Sequence, residues 1–199
     1  MTRVGLLGGT FNPPHLAHLV CASAARDQLG LERVLLVPTR IPPHKEVDDE
    51  PGPAHRLQMC RLAARDHGGW LAVSSIEVDR EGPSYTVDTL EQIHASRPGD
   101  ELSLIVGGDM AWSLPSWHRP EDVLRLARLA VAERAGARRE EVRARLADMP
   151  GSDRIDYIDM PRLDISSSDL RRAVRERRPI EFLVPDPVGD YIEQEGLYR

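Results

Sequence analysis

Short apolar runs alternate along this chain with longer stretches in which apolar residues recur at helical spacing. Residues 4–7, 33–38, 71–78, 101–106, 128–132 and 154–158 read as strands. Several are apolar almost without interruption, as expected of parallel strands covered on both faces. Residues 16–29, 54–67, about 86–96, 121–126 and 138–148 separate them as helices, and 169–177 and 188–194 follow the last strand. A strand, a helix-length crossover and a second strand impose parallel pairing and a right-handed connection. The pattern therefore predicts an α/β fold, a mainly parallel, doubly wound sheet with helices on both faces. No repeat, low-complexity tract or linker interrupts it, so residues 1–199 are expected to form a single domain with a helical subregion from about residue 165. The helix at 138–148 is dense in charge and is expected to present a solvated face.

The first strand runs into Gly8 and Gly9, and GGTFNPPHLAH leads to the first helix. Glycines here can take backbone angles closed to other residues and let a ligand approach the main chain. Pro13 and Pro14 stiffen the approach to a helix start whose unpaired amides and positive dipole end suit an anion such as phosphate. His15 and His18 are three residues apart and share one side of that helix, so both imidazoles can face the turn as donors able to carry charge. A lone histidine would more often be an ordinary surface or core-edge residue. Two in the first turn after a glycine loop favour the anion.

Three further stretches carry candidate chemistry. Residues 39–53 form a long connection with four prolines, and His44 and Lys45 sit in its proline-braced part. Such connections are commonly lids or disordered, and both a cation-bearing lid and a solvated loop fit it. At Ser84, Tyr85 and Thr86 a serine or threonine can cap the following helix, and the first-turn amides form a second anion site. Gly107-Gly108-Asp109 ends a central strand, where open α/β sheets bind ligands. Asp109 can accept from a ribose, help hold Mg²⁺, or merely cap. Ser166, Ser167 and Ser168 precede another helix; Ser166 with Asp169 fits a cap, and the remaining hydroxyls with Arg171 can receive phosphate oxygens.

Composition narrows the partners. With 26 basic against 32 acidic side chains the formal net charge is −6, the wrong balance for coating nucleic acid. An anionic substrate must then meet a local positive pocket. Lys45 is the only lysine, every other Lys-or-Arg position being arginine. Cys21 and Cys60 fall in predicted helices without metal-ligand spacing, as for buried thiols in a reducing cytoplasm. No signal peptide or membrane-length apolar run is found.

The first motif resembles the nucleotidyltransferase superfamily, whose signature is a strand, a T-x-F-D-P-like turn and an H-x-G-H helix start. Asn12 stands where aspartate is common, which argues against a metal ligand there, and Ala17 where glycine is. Ile165-Ser166-Ser167-Ser168 through Arg171 resembles the family's I-S-S-T-x-x-R, with Ser168 for threonine. P-S-Y-T at 83–86, P-P-H-K at 42–45 and the G-L-Y-R ending are similar to the bacterial nicotinate mononucleotide adenylyltransferases, and the likeness spans the whole chain.

That resemblance implies a Rossmann-like fold and transfer of AMP from ATP to nicotinate mononucleotide in NAD biosynthesis, in the cytoplasm, the alternative being a preference for nicotinamide mononucleotide or another phosphate-bearing acceptor. Gly8, Gly9, Thr10, Phe11, Gly107, Asp109, Ser166, Ser167 and Ser168 would bind ATP together with the catalytic His15, His18 and Arg171. His44, Lys45, Ser84, Tyr85, Thr86 and Trp117 would take the mononucleotide, Trp117 lying flat on the pyridine ring and Trp112 staying structural. Mg²⁺ would travel on the ATP phosphates, with no direct protein ligand assigned. No nucleic acid or membrane is expected as a partner, and self-association is left open.

Overall fold

The computed structural model describes residues 1–43, 51–134 and 139–199. Among these, six parallel strands form one sheet in the order β3-β2-β1-β4-β5-β6. They are β1 (Arg3–Gly9), β2 (Arg33–Pro38), β3 (Leu71–Val73), β4 (Glu101–Gly107), β5 (Arg128–Arg134) and β6 (Ile155–Met160). The helices are α1 (Leu16–Leu29), α2 (Pro53–Ala64), α3 (Ile76–Asp79), α4 (Thr86–Ser96), α5 (Gly108–Ser113), α6 (Pro120–Leu126), α7 (Arg139–Leu146), α8 (Ser167–Arg175) and α9 (Asp186–Gln194). The doubly wound α/β class is the one the periodicity predicts.

Period-two alternation in the strands sorts the core into two layers. Val4, Leu6, Leu104, Val106, Leu129 and Val131 pack with α4, α6 and α7 on one face. Leu7, Leu36, Ile105, Ala130 and Ala132 pack with α1 and α2 on the other. Strand order reverses between β1 and β4, which leaves a crevice at their carboxyl ends. Leu7 pairs with Ile105, so Gly9 and Gly107 each lie two residues further along at that crevice. A third apolar cluster joins Met59 and Ala63 of α2 to Leu170, Val188, Ile192, Leu197 and Tyr198. The C-terminal helices are thereby fastened beside α2.

Two elements differ from the sequence expectation. β3 ends at Val73 rather than running to residue 78, and residues 76–79 are the helical turn α3. Serine hydroxyls redirect the chain there: Ser74 Oγ accepts from the Ile76 amide, and Ser75 Oγ donates to Asp79 Oδ2 at 2.6 Å. α7 is not solvated all round, because Val142 and Leu146, one turn apart, are fully buried in the first layer. Its arginines cover aromatic rings instead of standing free: Arg139 lies 4.8 Å from the Tyr157 ring centre and Arg145 5.2 Å from that of Trp112. Among the described residues no helix is long and apolar enough to cross a membrane.

Truncating Leu146 to alanine should lower unfolding stability by about 2–5 kcal/mol, the range for emptying a core leucine site. Urea denaturation measures it; a change within about 0.5 kcal/mol, as for a surface site, would restore the solvated-helix reading.

Candidate active site

The turn after β1 is built differently from the sequence expectation. Gly8 and Gly9 are extended residues of β1 and neither has a positive φ; the left-handed residue is Phe11, at φ 50°. That conformation folds the Phe11 ring back over the strand end, where a Cβ on Gly9 would stand 3.2 Å from its Cζ. Gly9 is thus small to admit a ring. Gly8 has open space where a Cβ would be, which suits close approach of a ligand.

Residues 12–14 are held from the far end of the chain. Arg171 Nη1 donates to the Asn12 carbonyl at 2.9 Å, and Ser167 Oγ donates to the Pro13 carbonyl at 2.9 Å. The Tyr198 hydroxyl donates to Asn12 Oδ1 at 2.6 Å. Asn12 is buried, and its peptide to Pro13 is cis. These bonds set the N-terminus of α8 beside that of α1. Ser166 caps α8 by accepting from the Asp169 amide at 3.1 Å, as its sequence predicts, while its hydroxyl donates to Asp169 Oδ2. Ser167 uses its hydroxyl on Pro13, so its contribution to a ligand site is through the turn it holds. Ser168 Oγ accepts from Arg171 Nη2 at 3.4 Å.

The paired imidazoles lie in contact. His15 and His18 stack with ring centres 3.7 Å apart, and Phe11 meets His18 edge-on at 4.9 Å. The His15 amide donates to His18 Nδ1 at 3.1 Å. An accepting Nδ1 places the proton of a neutral imidazole on Nε2, leaving that nitrogen as a donor. Burial, and then the charge of His15, pull the His18 pKa down from 6.5 to about 3. His18 is therefore neutral near pH 7 without ligand, so of the two roles open to it from sequence it keeps the donor and not the charge. The first turn of α1 contains no acidic residue to compete for the dipole end.

A second cluster forms at α4. No side chain caps this helix, contrary to the expectation for Ser84 or Thr86. Ser84 is committed elsewhere: its Oγ accepts from the Arg40 amide at 3.0 Å and its own amide donates to the Ile41 carbonyl at 2.9 Å. Tyr85 packs against His118 with ring centres 4.5 Å apart, which brings the loop of Trp117 to the same helix start. Trp117 packs on the core and donates from Nε1 to Ser113 Oγ at 3.1 Å, whereas Trp112 is half exposed beneath Arg145. Gly107 and Asp109 are exposed at the end of β4 and the first turn of α5. His44 and Lys45 lie outside the described residues.

Three contributors escape the sequence reading. Tyr198 and His118 act through contacts between distant segments, which periodicity does not register. Arg56 is fully buried, although the helical pattern groups it with the polar residues of its helix. Its spacing of three and four residues from Met59 and Cys60, both buried, was the available signal. A cavity of about 1040 Å³ lined by Val174, Arg178, Ile180, Val184, Ile192 and Arg199, among others, contains none of the predicted site residues. Among the described residues no group of three His, Cys, Asp or Glu side chains is placed to hold a metal.

Comparison with known proteins gives concordant matches. The cytidylyltransferase-like family model matches residues 6–173. The nicotinate-nucleotide adenylyltransferase of Bacillus subtilis (strain 168) is 34% identical over 199 residues, covering 100% of both chains. A probable nicotinate-nucleotide adenylyltransferase of Roseiflexus sp. (strain RS-1) is 45% identical over 198 residues, covering 98% of each. The Plasmodium falciparum nicotinic acid mononucleotide adenylyltransferase complexed with NaAD is similar in structure, with a TM-score of 0.78 over 100% of this chain and 98% of that one. Its 20% identity bears on the fold alone.

The His18 environment has a pH consequence. Between pH 6.5 and about 3 the unfolded chain binds a proton at this residue that the folded chain resists, so stability is complete above pH 6.5 and declines as pH falls through that window. Urea midpoints at pH 7 and pH 5 should therefore fall further for the wild type than for His18→Gln. Equal losses would contradict an enclosed neutral imidazole.

Proposed function

The chain belongs to the cytidylyltransferase-like family, among the nicotinate-nucleotide adenylyltransferases, and from that premise we infer that it transfers the adenylyl group of ATP to nicotinate mononucleotide. The products are nicotinate adenine dinucleotide and pyrophosphate. A phosphate oxygen of the mononucleotide attacks the α-phosphorus; that P–O bond forms as the bond to the β-phosphate oxygen breaks. Residues 1–199 act as one nucleotidyltransferase domain in this reading. Buried free thiols at Cys21 and Cys60 support a reducing, cytoplasmic setting.

The observation that carries the assignment is the tie of the α8 start to the turn before α1, Ser167 to Pro13 and Arg171 to Asn12, with His15 and His18 stacked where α1 begins. Such transfer needs alignment and stabilisation of charge on the phosphorus oxygens rather than a protein nucleophile. His18 Nε2 donates to the α-phosphate, and His15 faces the β or γ side. Arg171, steadied by the Asn12 carbonyl, holds the departing pyrophosphate. Gly8, Gly9, Thr10 and Phe11 line the approach; Gly107 and Asp109 meet the nucleoside, and Ser166, Ser167 and Ser168 shape the α8 end.

The mononucleotide occupies the α4 side. The Tyr85 amide is taken by the Pro83 carbonyl at 3.1 Å, and the first-turn amides from Thr86 onward, without a side-chain cap, suit the pyridine carboxylate better than an amide group, which brings donors of its own. Trp117 supplies a flat surface for the ring, Ser84 fixes the approach, and His44 and Lys45 are assigned to the mononucleotide. Mg²⁺ enters as part of the metal–ATP substrate. The imidazoles, the Asn12 amide and the hydroxyls of the turn supply no carboxylate cage, and Mg²⁺ commonly relies on substrate phosphates and water.

His18→Ala should lower turnover by about 10²–10³-fold, the usual cost of one preorganised donor, while circular dichroism stays unchanged. Pyrophosphate release from ATP with nicotinate mononucleotide, and with nicotinamide mononucleotide for comparison, measures it. Wild-type turnover in the variant would overturn the role of His18, and no release from wild type with the acid substrate would overturn the reaction.

A further inference from the structure

Arg56 is a fully buried side chain of α2, and three of its hydrogen bonds go to main-chain carbonyls of two separate turns. Nη1 donates to Thr10 at 2.9 Å and to Thr39 at 2.6 Å, and Nη2 donates to Arg40 at 3.1 Å. Thr10 begins the turn between β1 and α1. Thr39 and Arg40 directly follow β2, and the chain from there leads to His44 and Lys45.

The connection does not end at those carbonyls. The Arg40 amide donates to Ser84 Oγ at 3.0 Å, and the Ser84 amide donates to the Ile41 carbonyl at 2.9 Å. Ser84 stands two residues before α4. One planar group thus spans from the polyphosphate turn to the segment that anchors the pyridine end. Thr39 reinforces the near side, its amide and hydroxyl both donating to the Gly9 carbonyl, at 3.0 and 3.1 Å.

Burying a guanidinium is costly, and an apolar side chain of similar volume often serves a core at least as well. A site that only needed filling would not require a charge directed at three carbonyls. What those bonds do fix is distance. The two strand-end turns cannot slide past one another while one rigid fork holds both, and in-line transfer depends on the separation of the α-phosphorus and the attacking oxygen.

We propose that Arg56 is a positioning residue for adenylyl transfer, setting the spacing between the ATP half and the mononucleotide half of the crevice; this rests on the reaction assigned above. Arg56→Lys keeps the charge but replaces a rigid fork with a point charge on a flexible stem, which cannot hold the same diverging carbonyls. The expected result is a kcat about 10²-fold lower per folded molecule, the cost of misalignment on the order of 1 Å. The KM for ATP should change by less than about threefold, a smaller loss than one hydrogen bond of direct binding would cause. Folded fraction is read by urea titration of the same preparation.

Ser84→Ala gives a second reading that does not depend on the stability of the Arg56 variant. It removes the hydroxyl that accepts from the Arg40 amide, leaves the main-chain bond to Ile41, and should raise the KM for nicotinate mononucleotide by about 3–10-fold with the KM for ATP unchanged. A purely structural Arg56 predicts lower stability with kcat and both KM values unaltered in the folded fraction. That outcome, or an unchanged mononucleotide KM in Ser84→Ala, overturns the positioning role while wild-type pyrophosphate release upholds the reaction. Absence of that release from wild type overturns both.

Discussion

The site depends on carbonyl groups near residue 12 being satisfied by donors from the far end of the chain. A turn that leaves a strand and enters a helix through two prolines has few main-chain donors of its own, since neither proline has an N–H. Buried carbonyls need partners all the same. Arg171 supplies Asn12 and Ser167 supplies Pro13, from 159 and 154 residues away. The Tyr198 hydroxyl fixes the Asn12 side chain from 186 residues away, and Leu183 accepts from the Leu16 amide. The local hydrogen-bond deficit of this turn is met by α8, and the same contacts hold the α8 N-terminus beside that of α1.

Electrostatics then follow from packing. His18 packs against Phe11 and His15 and takes a backbone proton donor at Nδ1, so its Nε2 is a donor without a permanent charge. Formal positive charge comes from the guanidinium groups instead. Arg171 stands at the joint of α8 and the first turn, and Arg56 lies in the floor beneath the ends of β1 and β2. In the proposed reading, helix ends, the neutral His18 imidazole and arginines in these positions are what let a chain of net charge −6 receive a polyphosphate. The protein needs a positive locality, not a positive total.

Much of this was readable from sequence where the signal is local. β2, β4, β5 and α1 follow from apolar periodicity, and the Ser166 cap of α8 follows from a hydroxyl three residues ahead of an acidic side chain. The motifs at 8–18 and 166–171 meet through the bonds of Ser167 and Arg171 to the Pro13 and Asn12 carbonyls. Readings failed where a local rule had a non-local competitor. Gly9 is small because the Phe11 ring folds onto it, not because its own φ is positive. Ser84 does not cap α4 because the segment after β2 claims its hydroxyl. α7 looked solvated by charge density, but Val142 and Leu146 were enough to dock it. Arg56 was hidden by residue type: polarity suggested an exposed position, while three carbonyls made the interior suitable.

The central claim is that one diphosphate sits where the α1 and α8 N-termini meet, and the most direct measurement is its position in crystals grown with nicotinate adenine dinucleotide. The account predicts phosphate oxygens in hydrogen-bond contact with His18 Nε2 and the Arg171 guanidinium, and the pyridine carboxylate at the first turn of α4. A diphosphate bound elsewhere, for example against Arg178 and Arg199 in the C-terminal cavity, with both imidazoles out of contact, would contradict it.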